Sequence, residues 1–297
     1  MDTKVKLLVA CHTIPEVINL TLGTWLESYD GSYDADITIS IHENYRDYCE
    51  REDEILSLPN VKVLRVPEIN YYQHGLMRYS IQHATVLTHL LESCRGAEFT
   101  HVAMLDHDLV FQDDFISWAI RGFPDSDWTL SLFDDKPDPR EVVATTGGKL
   151  VFAPKPSVWN MVFSRHVYDC IMGDTKVIVP ECVGNFQYDT FAKAYEHALC
   201  DWGVSVNVLP EADIQQHVNH LWSSSFNYGF FHARYTTRTD EDARDKYRRK
   251  MDSLIAMYQS RFPNGIGHLL EKLNGSSHSK DIHSPYQGSA GNLPCRD

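Results

Sequence analysis

The sequence predicts an α/β protein with a Rossmann-like, mostly parallel central sheet, helices on both faces and a helical C-terminal appendage. Over roughly the first 115 residues, short apolar segments typical of buried strands alternate with longer segments typical of helices. Such alternation favours a parallel sheet covered on both faces. Polar residues follow three of these strands, and ligands of parallel sheets bind beyond the carboxyl ends of the strands. The same pattern therefore predicts a binding site at that edge.

The first part of the chain predicts four strands separated by helices. The apolar segments predict strands at 5–11, 37–41, 61–66 and from 99 to an acidic pair at 106 and 108. The segments between them predict helices at about 15–29, 48–56 and 76–93.

The pattern is less regular after residue 115. We predict strands at 128–133, 149–152, 177–179 and 204–209, and helices at 162–172, 188–202 and 240–262. Turn-rich stretches lie at 134–140 and 145–148, and a loop dense in histidine, serine and aromatic residues lies at 217–232. The last residues, 274–297, have the composition of a disordered tail.

Net charge limits the classes of partner. The 297 residues carry a formal charge of −14, which argues against a protein that binds nucleic acid through a broad basic face. The nearest basic run, residues 244–250, is interpreted as the solvated face of a helix. Seven scattered cysteines without a C-x-x-C pattern favour a reducing compartment. With no apolar run of membrane-spanning length, we expect a cytoplasmic protein.

The most informative motif is Asp106-His107-Asp108, which follows the predicted fourth strand. In an extended chain, alternation turns Asp106 and Asp108 to the same side. Two carboxylates held that close repel unless a cation or a shared proton lies between them, and a hard divalent metal also binds phosphate oxygens. The motif therefore suggests a site for a metal-bound nucleoside diphosphate. The alternative is a solvated turn or the start of the next helix.

The order of elements and motifs resembles the GT-A glycosyltransferases, particularly the inverting family 2, over roughly residues 4–222. The turn containing Thr13 and Pro15 resembles the nucleotide-binding turn of that family. Glu43 resembles the acid that contacts the nucleotide base, and Gly75 the glycine that leads the helix before the metal motif. Asp106-His107-Asp108 resembles the D-x-D motif of the family.

A second set of residues resembles the catalytic part of the family. Tyr188-Asp189 resembles the E-D pair, of which only the second acid is kept here. Arg78 stands where a donor-phosphate contact is expected, although the usual Ala-Arg-Asn run is missing. The resemblance implies a nucleotide-sugar-binding half at 1–115, an acceptor-binding and catalytic half at 116–235, and a C-terminal helical appendage at 236–273.

The implied reaction is the transfer of a sugar from a nucleotide sugar, by resemblance a UDP-sugar, to an acceptor hydroxyl. Mn²⁺ or Mg²⁺ would neutralise the leaving diphosphate, with Asp108 binding the ion and Asp106 holding it through water or contacting the ribose. Asp189 is the candidate general base, although a helix N-cap explains its position equally well.

Further residues are candidates for the metal or substrate contacts. His217 and His220 are equally suited to complete the metal site, and either is also compatible with an ordinary polar loop. His232 is a third candidate for this metal ligand, or a contact to the diphosphate or acceptor, and Arg234 is a candidate diphosphate contact. Trp159 is a candidate acceptor contact, and Trp222 belongs to an aromatic group that forms either a sugar or base platform or part of the core. The acceptor is a glycan, a lipid-linked sugar, a protein or a modified nucleobase.

Two other classes of function remain open. Asp106-His107-Asp108-Leu109-Val110 also fits the D-x-D-x-[TV] pattern of haloacid-dehalogenase phosphatases. In that family, however, the motif follows the first strand, whereas here three predicted strands precede it. The third possibility is a module that binds a nucleotide sugar without turnover.

Overall fold

The structure is a computed structural model that describes residues 3–11, 13–43, 50–67, 86–131, 144–146, 149–151, 160–173, 190–221, 241–271 and 273. Its strands are β1 Lys4–Ala10, β2 Asp34–His42, β3 Val61–Val66, β4 His101–Asp106, β5 Leu109–Phe111, β6 Trp128–Ser131, β7 Ala144–Thr146, β8 Lys149–Val151, β9 Asn160–Ser164, β10 Val206–Leu209 and β11 Val218–His220. The helices are α1 Pro15–Ser28, α2 Glu52–Leu56, α3 at 86–92, α4 Phe115–Gly122, α5 Arg165–Gly173, α6 Thr190–Cys200, α7 Glu211–Ile214, α8 Glu241–Arg261 and α9 Gly267–Leu270.

Seven strands form one sheet in the order β10-β6-β9-β4-β1-β2-β3. β9 runs antiparallel to β4 and β6, and the other neighbouring strands are parallel. The predicted α/β class with a mostly parallel sheet is therefore confirmed. The sheet contains strands from both predicted halves, 1–115 and 116–235. The division of function between these halves stays a prediction.

The strand order changes direction beside β1. From β1 the chain passes to β2 and β3 on one side, and then returns to β4 on the other side of β1. In open α/β sheets, ligands bind outside the carboxyl ends of the strands at such a switch point. Thr13 follows β1 and Asp106 ends β4, so both of these predicted site residues lie at the switch point.

The predicted helix at 162–172 exists, but its predicted start was wrong. Residues Asn160–Ser164 form β9, and the helix begins only at Arg165. Met161, Val162 and Phe163 are all buried, because β9 lies between β4 and β6 with both faces covered. Periodicity cannot separate a short, fully buried strand from a helix, which explains the error.

Two predicted loops contain strands. Ala144–Thr146 pairs with β8 as a hairpin inside the predicted turn region, and Val218–His220 pairs with β5 inside the predicted histidine-rich loop. Both strands are three residues long, too short to show an alternating pattern. The predicted strand at 177–179 and the tail from 274 lie outside the described residues.

Helices cover both faces of the sheet. One apolar core joins the first face to α1, α4, α8 and α9, and a second joins the opposite face to α3, α5 and α6. Residues 15–25 of α1 are all buried, because this helix lies between the sheet and α8. The C-terminal helices are therefore packed into the main core through α1.

Gly23 allows the C-terminal segment to approach α1. A Cβ atom built at this position would lie 2.6 Å from Cζ of Phe262 and 2.9 Å from Cγ2 of Ile266. Both of these side chains are buried, so the neighbours have little room to move.

We expect Gly23→Ala to lower the free energy of unfolding. Alanine gains about 1 kcal/mol in helix propensity, but overpacking a closed core costs about 1–3 kcal/mol, and both neighbours here are closer than contact distance. Urea unfolding measures the difference. Gly122→Ala is the matched control, because its nearest contact would be Trp118 at 3.8 Å. A Gly23→Ala protein as stable as the control would contradict the close packing.

A buried carboxylate joins the loop after α1 to the start of α4. Oδ1 of Asp114 accepts hydrogen bonds from the Ser117 amide at 3.0 Å and from the Tyr33 hydroxyl at 3.1 Å. Oδ2 accepts one from the Asp30 amide at 3.1 Å. Burial raises the pKa of Asp114 above its usual value, although these hydrogen bonds act in the opposite direction.

The raised pKa of Asp114 predicts a pH-dependent contribution to stability. A carboxyl group whose pKa is raised by folding stabilises the fold most below its unfolded pKa of about 4, and less as pH rises through the folded pKa. We therefore expect the free energy of unfolding of the wild type, relative to Asp114→Asn, to fall as pH rises from about 4. Urea unfolding of both proteins across this range measures it. If the free energies of unfolding of the two proteins changed in parallel with pH, the raised pKa of Asp114 would be contradicted.

Candidate metal centre

Asp106, Asp108 and His220 come together at the carboxyl edge of the sheet. Asp106 ends β4, residues 107 and 108 form a bend, and β5 starts at Leu109. β11 runs antiparallel to β5 and places His220 opposite Leu109. The amide of Leu221 also donates to the Asp108 carbonyl at 2.9 Å. The pairing of β5 with β11 therefore holds His220 beside the two acids.

The two acids come together as predicted, but not through the alternation of a continuous strand. The bend at 107 and 108 interrupts the strand between Asp106 and Asp108. The two carboxylates nevertheless meet, because the chain turns out of the main sheet into the β5–β11 ribbon.

The three side chains have the geometry of a metal site. One ligand atom from each lies within 4.8 Å of the others. Nε2 of His220 lies 2.9 Å from Oδ1 of Asp108 and 3.8 Å from Oδ2 of Asp106. The Asp108 and His220 side chains are 5% and 8% exposed, and that of Asp106 is 20% exposed. Two carboxylate oxygens and one imidazole nitrogen form a donor set that fits a divalent cation, reached from the side of Asp106.

The two acids change the proton affinity of His220. Burial alone lowers the pKa of His220, but the hydrogen bond and charge of Asp108, together with the charge of Asp106, raise it above its usual value. The positive charge of Lys250 opposes this rise. Since a histidine ligand must be deprotonated, the proton on His220 competes with a bound cation.

Threonines of α1 hold the bend that carries the acids. Oγ1 of Thr21 accepts a hydrogen bond from the Leu109 amide at 2.9 Å and lies 2.7 Å from the His107 carbonyl and 2.8 Å from the Leu109 carbonyl. Oγ1 of Thr24 accepts from the Phe111 amide at 3.1 Å. These contacts explain why Thr21 and Thr24 are buried in α1.

His107 connects the bend to the end of β1. Its Nδ1 lies 2.8 Å from the carbonyl oxygen of Ala10 at the end of β1. A carbonyl oxygen only accepts hydrogen bonds, so Nδ1 carries the proton. His107 therefore links β1 to the metal motif across the switch point.

We expect Thr21→Val to weaken both the fold and metal binding. Valine has a similar shape but leaves buried polar groups of the bend without a hydrogen bond, which costs about 1–3 kcal/mol. Loss of such support typically lowers metal affinity by about 10-fold or more. Urea unfolding and calorimetric titration with Mn²⁺ measure the two effects. Thr21→Ser keeps the hydroxyl and is the control; unchanged Mn²⁺ binding by Thr21→Val would contradict this role.

His217, the other predicted histidine ligand, lies apart from the three clustered residues. Its Nδ1 lies 2.7 and 2.8 Å from the two carboxylate oxygens of Asp113, and its ring stacks on Trp118 with centroids 4.0 Å apart. His217 lies in the turn before β11, whereas His220 is the last residue of that strand. His217 and His220 consequently reach different surroundings, and only His220 joins the aspartates.

The remaining predicted site residues fall into two groups. Thr13 and Pro15 are buried after β1, and Glu43 is exposed after β2. Several predictions lie outside the described residues, namely Gly75, Arg78, Trp159, Asp189, Trp222, His232 and Arg234.

Lys250 is a neighbour of the site that the sequence interpretation missed. The basic run 244–250 was assigned to a solvated helix face, and Arg248 and Arg249 are indeed exposed. Lys250, however, is half-buried, and its Nζ donates a hydrogen bond to the carbonyl of Leu221, the residue after His220. A charge-rich run gives no signal that one of its members turns inward.

The helices in the described part of the chain do not combine the length and apolar character needed to cross a membrane.

Comparisons with known proteins show little similarity of sequence. No protein-family model matches the chain, and no curated protein matches it. Among solved structures, the chain is similar to 4-diphosphocytidyl-2C-methyl-D-erythritol synthase from Anaerococcus prevotii, with a TM-score of 0.38 and 11% identity. The match covers 70% of this chain and 88% of that one.

Proposed function

We propose that this protein is a metal-dependent glycosyltransferase that moves a sugar from a nucleoside-diphosphate sugar to an acceptor hydroxyl. The observation that carries the proposal is the grouping of Asp106, Asp108 and His220 at the switch point of a mostly parallel sheet. Acidic residues at this location suit a cation that also binds a diphosphate. The motif order that resembles GT-A enzymes supports the same reaction class.

The donor set favours Mn²⁺ over Mg²⁺. Mg²⁺ prefers oxygen ligands and near-ideal octahedral geometry, whereas imidazole ligands suit transition metals, among which Mn²⁺ also suits carboxylate ligands. In this proposal Asp108 and His220 bind the cation directly, and Asp106 binds it through water or contacts the donor ribose. A cation bound there would stabilise negative charge that develops on the leaving diphosphate.

The other roles follow from the resemblance and remain part of the proposal. Asp189 removes the proton of the acceptor hydroxyl, so that a single displacement inverts the anomeric configuration. Glu43 contacts the base, which we expect to be uracil. Thr13 and Pro15 line the nucleotide-binding turn.

A thermal-shift screen of nucleotide sugars with and without Mn²⁺ tests the proposal. We expect one nucleotide sugar to raise the melting temperature only when Mn²⁺ is present, because a ligand that binds the folded state stabilises it. Asp189→Asn should keep this shift and lose transfer, and the product should have the inverted configuration.

Three results would contradict the proposal in different ways. Hydrolysis of phosphomonoesters without any nucleotide-sugar requirement would favour the phosphatase alternative. Binding of a nucleotide sugar with no transfer or hydrolysis, unchanged in Asp189→Asn, would favour a non-catalytic module. A product with the retained configuration would exclude the single displacement.

A further inference from the structure

Lys250 places a positive charge next to the candidate metal centre. Its Nζ donates to the carbonyl of Leu221, and the amide of Leu221 donates to the carbonyl of Asp108 at 2.9 Å. Leu221 therefore connects the ammonium group to both segments of the site, the one that carries Asp108 and the one that carries His220.

The orientation of Lys250 is set by the packing of α8. Met251 and Leu254 in the next turn are buried in the core that contains α1. Arg248 and Arg249 on the same turn are exposed and interact with Asp245 of their own helix. Of the three consecutive basic residues 248–250, Lys250 is consequently the one that the helix turns toward the carboxyl edge of the sheet.

A lysine at this location is unfavourable for a metal ion alone. Two positive charges close together repel, so Lys250 would weaken the binding of a bare cation. When an anion is bound to the cation, the interaction with Lys250 becomes favourable, because the ammonium group attracts the anion. An ammonium group can donate three hydrogen bonds, and charge-assisted bonds to phosphate oxygens are about twice as strong as neutral ones.

We propose that Lys250 binds the diphosphate of the metal-bound nucleotide and is thus a donor-binding residue supplied by the C-terminal helix. This assignment rests on the proposed function and extends it to a residue outside the GT-A-like region. It also gives α8 a direct part in donor binding, in addition to packing on α1.

Calorimetric titrations of the full-length protein test this assignment with Mn²⁺ alone and with inorganic pyrophosphate at saturating Mn²⁺. We expect Lys250→Met to bind Mn²⁺ as tightly as the wild type or more tightly. Pyrophosphate binding should weaken by about 10-fold or more, as expected for a charged hydrogen bond. Lys250→Arg should retain most of the pyrophosphate affinity. Arg249→Met removes the same charge from the exposed face and should change neither titration.

The two titrations distinguish the possible roles of Lys250, because a diphosphate contact predicts weaker binding of pyrophosphate but not of Mn²⁺. If Lys250→Met weakens Mn²⁺ and pyrophosphate binding by the same factor, Lys250 only holds Leu221 in place and the proposal is wrong. Unchanged pyrophosphate binding in Lys250→Met would also overturn it, while leaving the proposed function intact. If the wild type itself binds no pyrophosphate with Mn²⁺, the proposed function fails, and the assignment of Lys250 fails with it.

Discussion

Asp108→Asn is expected to lower the affinity for Mn²⁺ by at least about 100-fold and to abolish the Mn²⁺-dependent thermal shift with a nucleotide sugar. Mutation of outer-shell partners already costs about 10–100-fold in metal affinity, and here a direct carboxylate ligand loses its charge. The effect is large because Asp108 is buried, so that solvent compensates little for the lost negative charge. Calorimetric titration with Mn²⁺ and the thermal-shift assay measure it.

Asp113→Asn is the matched control for this variant. Asp113 follows the same ribbon and loses the same charge, but its carboxylate binds His217 and lies outside the cluster. Mn²⁺ binding should stay close to wild type in this control. Equal losses in both variants would show that general charge, rather than a defined site, attracts the ion.

His220→Ala is expected to have the second largest effect, with Mn²⁺ affinity reduced by about 100-fold. The imidazole is the one nitrogen ligand of the cluster, and its removal leaves the cation with only the two carboxylate ligands. Titration with Mn²⁺ at constant pH measures the loss.

His217→Ala provides an internal comparison with His220→Ala. The two histidines lie at opposite ends of the same short segment, yet His217 contacts Asp113 and Trp118. We expect His217→Ala to keep Mn²⁺ affinity while losing some stability from the stacked ring. If His217→Ala lost the metal and His220→Ala kept it, the assignment of the third ligand would be reversed.

The local parts of the site could be predicted from the sequence. The acids at 106 and 108 follow a continuous apolar run, so their position at the end of a buried strand was visible in the pattern of residues. The parallel sheet and the turn after β1 were visible for the same reason. Each of these features depends on neighbours along the chain.

The parts that depend on contacts between distant residues could not be predicted. The choice of His220 over His217 depends on the pairing of β11 with β5, and the relevant partners are 112 residues apart. Likewise, β9 resembles a helix until its position between β4 and β6 is known. Lys250 has the same appearance in the sequence as the exposed Arg249 beside it. In each case the missing information is a tertiary contact, which periodicity does not contain.

The long chain separation between Asp108 and His220 has a consequence for assembly of the protein. Because the last ligand arrives on β11, a chain lacking that strand has both acids but cannot complete the trio. A bound cation would thus join two distant parts of the polypeptide and oppose their separation, as a ligand that binds only the folded state does. A bound metal would therefore show that the segment containing β11 has paired with β5.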